Sequence, residues 1–225
     1  MPLDVPPHFN RNGPDVQALA PAADTGLWLL QYMCRRIGLT DLSGSDVLDY
    51  GCGSRFAETI TNRELPIRSY TGVDVHRPMI DFLRANAIDP RLTFEHMNAR
   101  NPFYNPDGEP LSRRSALPVG DRTFDIACMF SVITHQVPAD AESIFAMLRR
   151  YVRAGGHLFF SASIEDGDFG YREMYPQEPT RYSVYTPRLM VDILQRSGWR
   201  VLSQAPRNDQ DLPILESFVC APLGA

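Results

Sequence analysis

Apolar positions in the N-terminal half of the chain alternate between the three-to-four-residue spacing of helices and the short apolar runs of strands. The predicted elements are a helix over 24–37, a strand at 47–48, a helix that ends before Pro66, a strand over 70–75, a helix from Pro78 and a strand over 91–96. Regular alternation of strands and helices is typical of a doubly wound parallel sheet. This half of the chain therefore predicts an α/β fold.

The second half of the chain continues this order. Its predicted elements are a strand over 124–130, a helix over 140–152, a turn at 154–156, a strand over 157–162, a helix over 187–197 and strands at 199–202 and 214–220. The run 124–130 is nearly all apolar, as expected of a central strand covered on both faces, and Asp140 is a candidate N-cap of the next helix. The last two strands leave no room for a helix between them, so we expect an antiparallel pair.

Three segments fall outside this pattern. Residues 1–21 are rich in proline and predict an extended, unpacked arm ahead of one domain over 22–225. The segment 98–119 is long for a connection in a compact domain, which favours a functional loop over a disordered insertion. The segment 164–185 is a second irregular stretch, rich in charge and tyrosine.

Composition excludes several classes of function. A net charge of −5 without a dense basic block argues against a nucleic-acid partner. The four cysteines are widely spaced and form no C-x-x-C, so a zinc knuckle or a thioredoxin-like site is not expected. The sequence has no 18-residue apolar run and no leader pattern, so we expect a cytoplasmic protein without a membrane partner.

The candidate chemistry centres on residues 47–57, where Gly51 and Gly53 follow an apolar strand and Asp49. Glycine permits a positive φ and lets a ligand approach the bare backbone. A tight turn there directs N–H groups of the following helix toward a ligand above the strand. Asp74 ends the next strand, where a carboxylate would hold a pair of ribose hydroxyls. These features predict a cofactor that contains a nucleoside.

Taken together, the motifs resemble those of the class I S-adenosylmethionine (SAM)-dependent methyltransferases over roughly residues 22–222. The matching features are Asp-x-Gly-x-Gly at 49–53, the acid ending the second strand, Leu117-Pro118 ahead of Phe124-Asp125, the turn Ala154-Gly155-Gly156 and the closing strand pair. The resemblance implies a doubly wound, mostly parallel seven-stranded sheet with an antiparallel C-terminal strand pair. It also implies methyl transfer with SAM as the cofactor.

The resemblance places the cofactor-binding residues at the ends of the strands. They are Asp49, Gly51, Cys52, Gly53, Asp74, Val75, Asn98, Ala99, Phe130 and Ser131. The glycine turn would face the methionine part of SAM, with Asp49 near its ammonium group, and Asp74 would hold the ribose. Asn98 replaces the acid that the family often uses to bind the adenine amino group, and its amide oxygen can still accept that hydrogen bond. Phe130 and Ser131 would line the sulfonium end.

Two other classes remain open at this point. The turn Gly51-x-Gly53 followed by Ala57 is close to the dinucleotide fingerprint, so an NAD-type Rossmann oxidoreductase is one alternative. Against it, Phe56 occupies the place of the third small residue, and the C-terminal hairpin leaves no room for a second substrate domain. The other alternative is a SAM-binding subunit without catalytic activity.

The acceptor is expected to be a polar small molecule, most simply a sugar or natural-product hydroxyl. Its candidate walls are the arm and the segments 98–119 and 164–185, which carry tyrosines and charges of both signs. The sequence has no tight set of Asp and Glu residues at a strand end, so no metal is expected. His135 follows the central strand and, as a neutral imidazole, is the candidate catalytic base for a hydroxyl acceptor. The alternative role for His135 is to cap the loop before the next helix. The sequence leaves the oligomeric state open.

Overall fold

The computed structural model describes residues 2–9, 21–206 and 215–224, which contain five α-helices and nine strands. The helices are α1 (Ala22–Ile37), α2 (Arg55–Asn62), α3 (Arg77–Asn86), α4 (Pro138–Arg149) and α5 (Pro187–Arg196). The strands are β1 (Leu42–Tyr50), β2 (Ile67–Asp74), β3 (Leu92–His96), β4 (Phe124–Met129), β5 (Val152–Ile164), β6 (Tyr171–Glu173), β7 (Ser183–Tyr185), β8 (Trp199–Ala205) and β9 (Glu216–Pro222).

Seven strands form the main sheet, in the order β3-β2-β1-β4-β5-β9-β8. The first five are parallel, whereas β9 pairs antiparallel with both β5 and β8. The predicted α/β class, with a mostly parallel seven-stranded sheet and an antiparallel C-terminal pair, is confirmed. The strand order reverses between β1 and β4, and open α/β sheets bind ligands beyond the carboxyl ends of the strands at such a point.

Both faces of the sheet are buried, as the apolar run at β4 predicts. Phe124, Ala127 and Met129 face the cluster that packs under α4 and α5, while Ile126 and Cys128 face the cluster under α1, α2 and α3. All five of these side chains are at most 1% exposed. The carboxyl ends of β1 and β4 are thus held side by side between two packed layers.

Two predictions about the second half of the chain are wrong in part. The segment 164–185 is not wholly irregular. The strands β6 and β7 pair with each other, and β7 also pairs in parallel with the last residues of β5. The residues Ala154-Gly155-Gly156 lie inside β5 instead of forming a turn before it. The register with β4 shifts there, and a Cβ on Gly156 would lie 2.6 Å from the carbonyl oxygen of Asp125. At this shift in register the backbone approaches Asp125 so closely that a side chain would not fit, which explains why glycine occurs there.

The start of the chain also differs from expectation. Leu3 is buried, its N–H donates to Asn62 Oδ1 at 2.7 Å, and Asn62 Nδ2 donates to the Leu3 carbonyl at 3.0 Å. Phe9 is buried as well. The prediction of an unpacked arm is therefore wrong for residues 2–9, whereas 10–20, like the predicted strand start at 214, lie outside the described residues.

One helix boundary needs correction. The N-cap of α4 is Val137, and Pro138 is its first residue, so Asp140 lies within the first turn and does not cap the helix. Proline is favoured at this position because its missing N–H would have no partner within the helix. In the part of the chain that the structure describes, no helix is long and apolar enough to cross a membrane.

Candidate active site

The turn between β1 and α2 is anchored on the neighbouring strand. The N–H groups of Gly51 and Cys52 both donate to the Val73 carbonyl of β2, at 2.8 and 3.2 Å. Gly51 and Gly53 have φ values of 74° and 54°, a conformation that residues with a side chain rarely adopt. The two glycines therefore allow the chain to leave β1 sharply and enter α2.

The two glycines have different surroundings. A Cβ on Gly51 would lie 2.5 Å from Val132 Cγ2, so glycine there lets the segment after β4 pack directly on the turn. A Cβ on Gly53 would meet no atom within 4 Å. The backbone at Gly53 consequently borders open space, and its role toward the methionine part of a cofactor stays a prediction.

Asp74 is held from both sides by backbone donors. Its Oδ2 accepts from the Gly53 N–H at 3.0 Å, and its Oδ1 accepts from the His76 N–H at 2.9 Å. The side chain is 2% exposed, and each carboxylate oxygen can accept a second hydrogen bond. The chemistry and the fixed rotamer of Asp74 suit the hydroxyl pair of a ribose. Val75 follows it and packs against the core.

Asp49 lies deeper than the sequence suggested. It is 1% exposed, and its Oδ2 accepts a hydrogen bond from Tyr70 Oη at 2.7 Å. Burial raises the pKa of this carboxyl to about 7, and the Tyr70 hydroxyl partly opposes that rise. Cys52 is buried against the backbone of Gly72, where a Cβ would lie 2.8 Å from its Sγ. The structure brings Asp49 to Tyr70, and its role toward an ammonium group stays a prediction.

The segment after β3 folds back on itself, with Ala99 bridged to Glu109 and Asn101 to Asn105. Asn98 accepts twice, from the Glu109 N–H through its carbonyl at 2.9 Å and from Asn105 Nδ2 through Oδ1 at 3.1 Å. Asn105 Nδ2 also lies 3.0 Å from the Ala99 carbonyl. A hollow of about 250 Å³ borders Asn98, Ala99 and Leu111. The amide oxygen expected to bind adenine is therefore already bonded to the loop.

Three aromatic rings from distant parts of the chain meet next to Asp74. The His76 ring lies 5.8 Å from the Phe9 ring and 5.5 Å from the Tyr104 ring, measured between centroids. Phe9 belongs to the N-terminal segment and Tyr104 to the loop 98–119. The N-terminal segment and the loop 98–119, both predicted as walls of the site, thus contact His76 just beyond the carboxyl end of β2.

The carboxyl end of β4 adopts an unusual conformation. Phe130 packs between Phe56 and Phe159, at centroid distances of 4.9 and 5.1 Å. Ser131 has φ 57° and is exposed, and its N–H donates to Ser161 Oγ at 2.9 Å. A non-glycine residue held in the left-handed region costs about 1–3 kcal/mol and is often found at functional sites. Nothing in the residue type indicates this conformation.

His135 ends a short 3-10 turn, Ile133–His135, that begins next to the residue packed on Gly51. Its Nδ1 lies 3.1 Å from the Thr180 carbonyl oxygen. A carbonyl can only accept, so Nδ1 carries the hydrogen, and in the neutral ring Nε2 is then an acceptor. Burial lowers the pKa of the imidazole, partly opposed by the carbonyls of Thr180 and Arg181. The neutral, proton-accepting form is consequently favoured.

A family model described as a methyltransferase domain matches residues 29–204, more than half of the chain. The chain belongs to this methyltransferase family. The predicted class, a SAM-dependent methyltransferase, is thereby confirmed over the NAD-type alternative. The roles of individual residues in the methyltransferase remain predictions.

Solved structures with the same fold share little sequence with this methyltransferase. The glycopeptide N-methyltransferase MtfA, complexed with sinefungin, is 17% identical, with a TM-score of 0.59 over 96% of this chain and 91% of that one. A SAM-dependent methyltransferase from Mesorhizobium loti is 17% identical, with a TM-score of 0.59 over 85% and 97%. The mitomycin 7-O-methyltransferase MmcR is 13% identical, with a TM-score of 0.57 over 89% of this chain and 54% of that one. These structural similarities show that the chain shares the fold of these proteins.

Sequence reasoning missed two features of the methyltransferase site. Thr180 has φ 65°, and its Oγ1 is buried without a hydrogen-bond partner among the described residues, directly beside His135. The charge of Asp140, half-buried in the first turn of α4, adds to the rise in pKa that burial causes at Tyr50, Tyr171 and Tyr185. Within the described ranges, no group of three or more His, Cys, Asp or Glu side chains is placed to hold a metal ion.

Proposed function

We propose that this methyltransferase transfers the methyl group of SAM to a hydroxyl of a polar small molecule, such as a sugar or a natural product. When bound, SAM supplies a methyl group already activated by a positively charged sulfur. The observation that carries the proposal is the 3.1 Å contact between His135 Nδ1 and the Thr180 carbonyl, which favours a hydrogen on Nδ1 and an Nε2 able to accept a proton. An alcohol needs such a base because it must lose its proton on methylation.

The residues that would hold SAM are those bordering the glycine turn. Gly53 gives the methionine part access to the backbone, and Asp74 offers its carboxylate to the ribose. Phe130 and Ser131 would border the sulfonium, at the point where the segment after β4 meets the turn. For Asn98 to bind adenine, its amide oxygen must accept a second hydrogen bond beside that from Asn105.

In the proposed step, His135 Nε2 takes the proton that the acceptor oxygen loses as this oxygen bonds to the methyl carbon. Bound SAM would supply the methyl group, and its sulfur would keep the electron pair of the bond that is broken. The products are a methyl ether, S-adenosylhomocysteine (SAH) and a protonated His135. The remaining contribution of the chain is alignment of the two reactants and exclusion of water.

A second candidate is methylation of an amine. The two neighbours with named acceptors are a glycopeptide N-methyltransferase and a mitomycin 7-O-methyltransferase, so the fold serves both kinds of acceptor atom. A neutral amine attacks without first losing a proton and therefore needs no base at His135.

We also propose a cytoplasmic location, because none of the four cysteines, all buried, forms a disulfide.

The test is a screen for SAM-dependent release of SAH with paired hydroxyl and amine acceptors, followed by kinetics of His135→Asn. With a hydroxyl acceptor, we expect a loss of roughly 10²–10⁴ in kcat at unchanged SAM affinity. His157→Asn is the matched control, since His157 is also half-buried but lies within β5, away from the strand ends. If His135→Asn loses less than about tenfold in kcat, His135 is not the base, and alignment of the two reactants accounts for catalysis.

A further inference from the structure

Ser161 is a buried residue placed where β5 first extends beyond the end of β4. Met129, the last residue of β4, pairs with Phe160, so Ser161 follows the final pair of these two strands. On its other side β5 remains paired, with Ser161 opposite Ser217 of β9. Ser161 is 2% exposed. The sheet therefore fixes Ser161 at the edge where the candidate site residues lie.

The Ser161 hydroxyl holds the residue at which the chain turns away from β4. Its Oγ accepts a hydrogen bond from the Ser131 N–H at 2.9 Å, and among the described residues this is the one hydrogen bond of the Ser161 side chain. Two positions earlier on β5, the Phe159 ring lies 5.1 Å from the Phe130 ring. β5 thus holds two consecutive residues after β4, one through an aromatic contact and the other through a hydrogen bond.

Ser131 depends on such support because its backbone is strained. Its φ of 57° is uncommon for a residue with a side chain, and a conformation of this kind persists only where the surroundings fix it. The Ser131 carbonyl also accepts from Thr134 Oγ1, at 2.9 Å. Thr134 belongs to the same short segment and would move with it, whereas Ser161 belongs to the sheet. The bond to Ser161 therefore ties the strained residue to the rigid part of the fold.

The residues that follow Ser131 border the glycine turn and carry the proposed base. Val132 packs so closely on Gly51 that a Cβ there would lie 2.5 Å from Val132 Cγ2. The His135 N–H donates to the Val132 carbonyl at 3.0 Å. A change of the backbone at Ser131 would consequently displace both Val132 and His135. Group transfer is sensitive to such displacement, since a misplacement of about 1 Å can cost roughly a hundredfold in rate.

We propose that Ser161 is a positioning residue for methyl transfer: its hydroxyl holds Ser131 in the left-handed conformation and thereby fixes His135 relative to the glycine turn. This inference rests on the proposed function, in which His135 is the base. Ser161 acts through Ser131 and takes no part in the proton transfer. Loss of the hydroxyl should therefore slow the reaction and leave SAM binding, which we assign to Gly53 and Asp74, nearly unchanged.

The first measurement is amide hydrogen exchange at Ser131, followed by NMR on the protein without added ligand. Ser161→Ala removes the acceptor of this amide and should raise its exchange rate about tenfold or more. Ser217→Ala is the matched control, because Ser217 is the partner of Ser161 on β9, is equally buried and bonds to Tyr32 Oη at 2.7 Å. It should lower Tm and leave exchange at Ser131 as in the wild type. An unchanged exchange rate in Ser161→Ala would overturn the proposal.

The second measurement compares turnover, with the acceptor found in the screen, and calorimetric affinities for SAM and SAH. In Ser161→Ala we expect kcat to fall about tenfold or more while both affinities stay within about threefold of the wild type. Ser217→Ala should keep the wild-type kcat. Equal values of kcat in the two variants would show that loss of a buried hydroxyl alone explains the effect, and the proposal would be wrong.

The same kinetics separate this inference from the proposed function. If the screen yields an amine acceptor and no hydroxyl acceptor, hydroxyl methylation is wrong, and kcat of Ser161→Ala with that amine still decides the role of Ser161. If a hydroxyl is methylated but Ser161→Ala keeps the wild-type kcat, the proposed function holds and the assignment of Ser161 fails.

Discussion

The amide of Gly53 donates a 3.0 Å hydrogen bond to Oδ2 of Asp74, and so joins the turn after β1 to the acid that ends β2. The second oxygen of Asp74 is held by the His76 N–H at 2.9 Å. Two groups that the sequence could only assign separately to a cofactor are thus fixed relative to each other before any ligand binds. Such preorganisation reduces the ordering that binding must impose.

The first prediction concerns Gly53. Gly53→Ala places a Cβ in the open space above the turn, where we expect SAM, and should weaken SAM binding by about tenfold or more in calorimetry. Gly120→Ala is the control, because Gly120 has φ 64° and equally open surroundings. Both variants should lose roughly 1–2 kcal/mol of unfolding free energy from the left-handed backbone. Equal SAM affinities in the two variants would place the cofactor elsewhere.

The second prediction concerns the loop 98–119. Tyr104 packs against His76, so Tyr104→Ala should lower the free energy of unfolding by roughly 0.5–1.5 kcal/mol, the usual worth of an aromatic contact. It should also weaken SAM binding, because that contact holds the loop beside Asp74. Phe103→Ala is the control, since Phe103 is 48% exposed and its ring lies 6.4 Å from Tyr104. If both variants bind SAM like the wild type, the loop does not shape the cofactor side of the site.

The third prediction is the pH dependence of turnover with a hydroxyl acceptor. The base must be neutral, and burial lowers the pKa of His135, so the neutral form persists to lower pH than for an ordinary histidine. As the pH falls, kcat/KM should therefore remain on its plateau until below about pH 6.5. The profile of His135→Asn should lack this acid limb. An acid limb centred above pH 6.5 in the wild type would point to another group.

The fourth prediction is a stability change at the α1–α2 contact. A Cβ on Gly26 would lie 2.0 Å from Thr59 Oγ1, which is buried and already donates to Arg55 and Ala23 carbonyls. Overpacking of this kind costs about 1–3 kcal/mol, which outweighs the gain of about 1 kcal/mol from replacing a helical glycine. Gly26→Ala should thus lower Tm, whereas Gly44→Ala, with nothing within 4 Å, should change it little. An increase in Tm for Gly26→Ala would contradict the helix packing.

The main strands and helices could be predicted because their signals are local. Apolar periodicity marks each main strand and helix, and the glycines of the turn at Gly51 satisfy a backbone requirement visible in a few residues. The strands β6 and β7 have three residues each, too few for a period to appear. They form only where the end of β5 offers an edge, at the register pair Ser163 and Val184.

The missed parts of the site depend on contacts between distant residues. Leu3 packs against α2 through Asn62, and Thr180 meets His135 across 45 positions of the chain. The left-handed conformations of Ser131 and Thr180 have no signal in residue type, since serine and threonine do not require them. Asp140 looked like a helix cap because acids are common there, but the helix begins at Pro138 and its N-cap is Val137.

The central claim is that SAM binds with its ribose at Asp74, and calorimetric titration of SAM into Asp74→Ala tests it most directly. Two charge-assisted hydrogen bonds, worth roughly 1.5–3 kcal/mol each, should be lost, so we predict at least about a hundredfold weaker binding. Asp46→Ala is the control, because Asp46 bonds to Arg68 and Arg153 toward the amino ends of the strands, away from Asp74. It should lower Tm and leave SAM affinity unchanged. Wild-type SAM affinity in a folded Asp74→Ala would contradict the account.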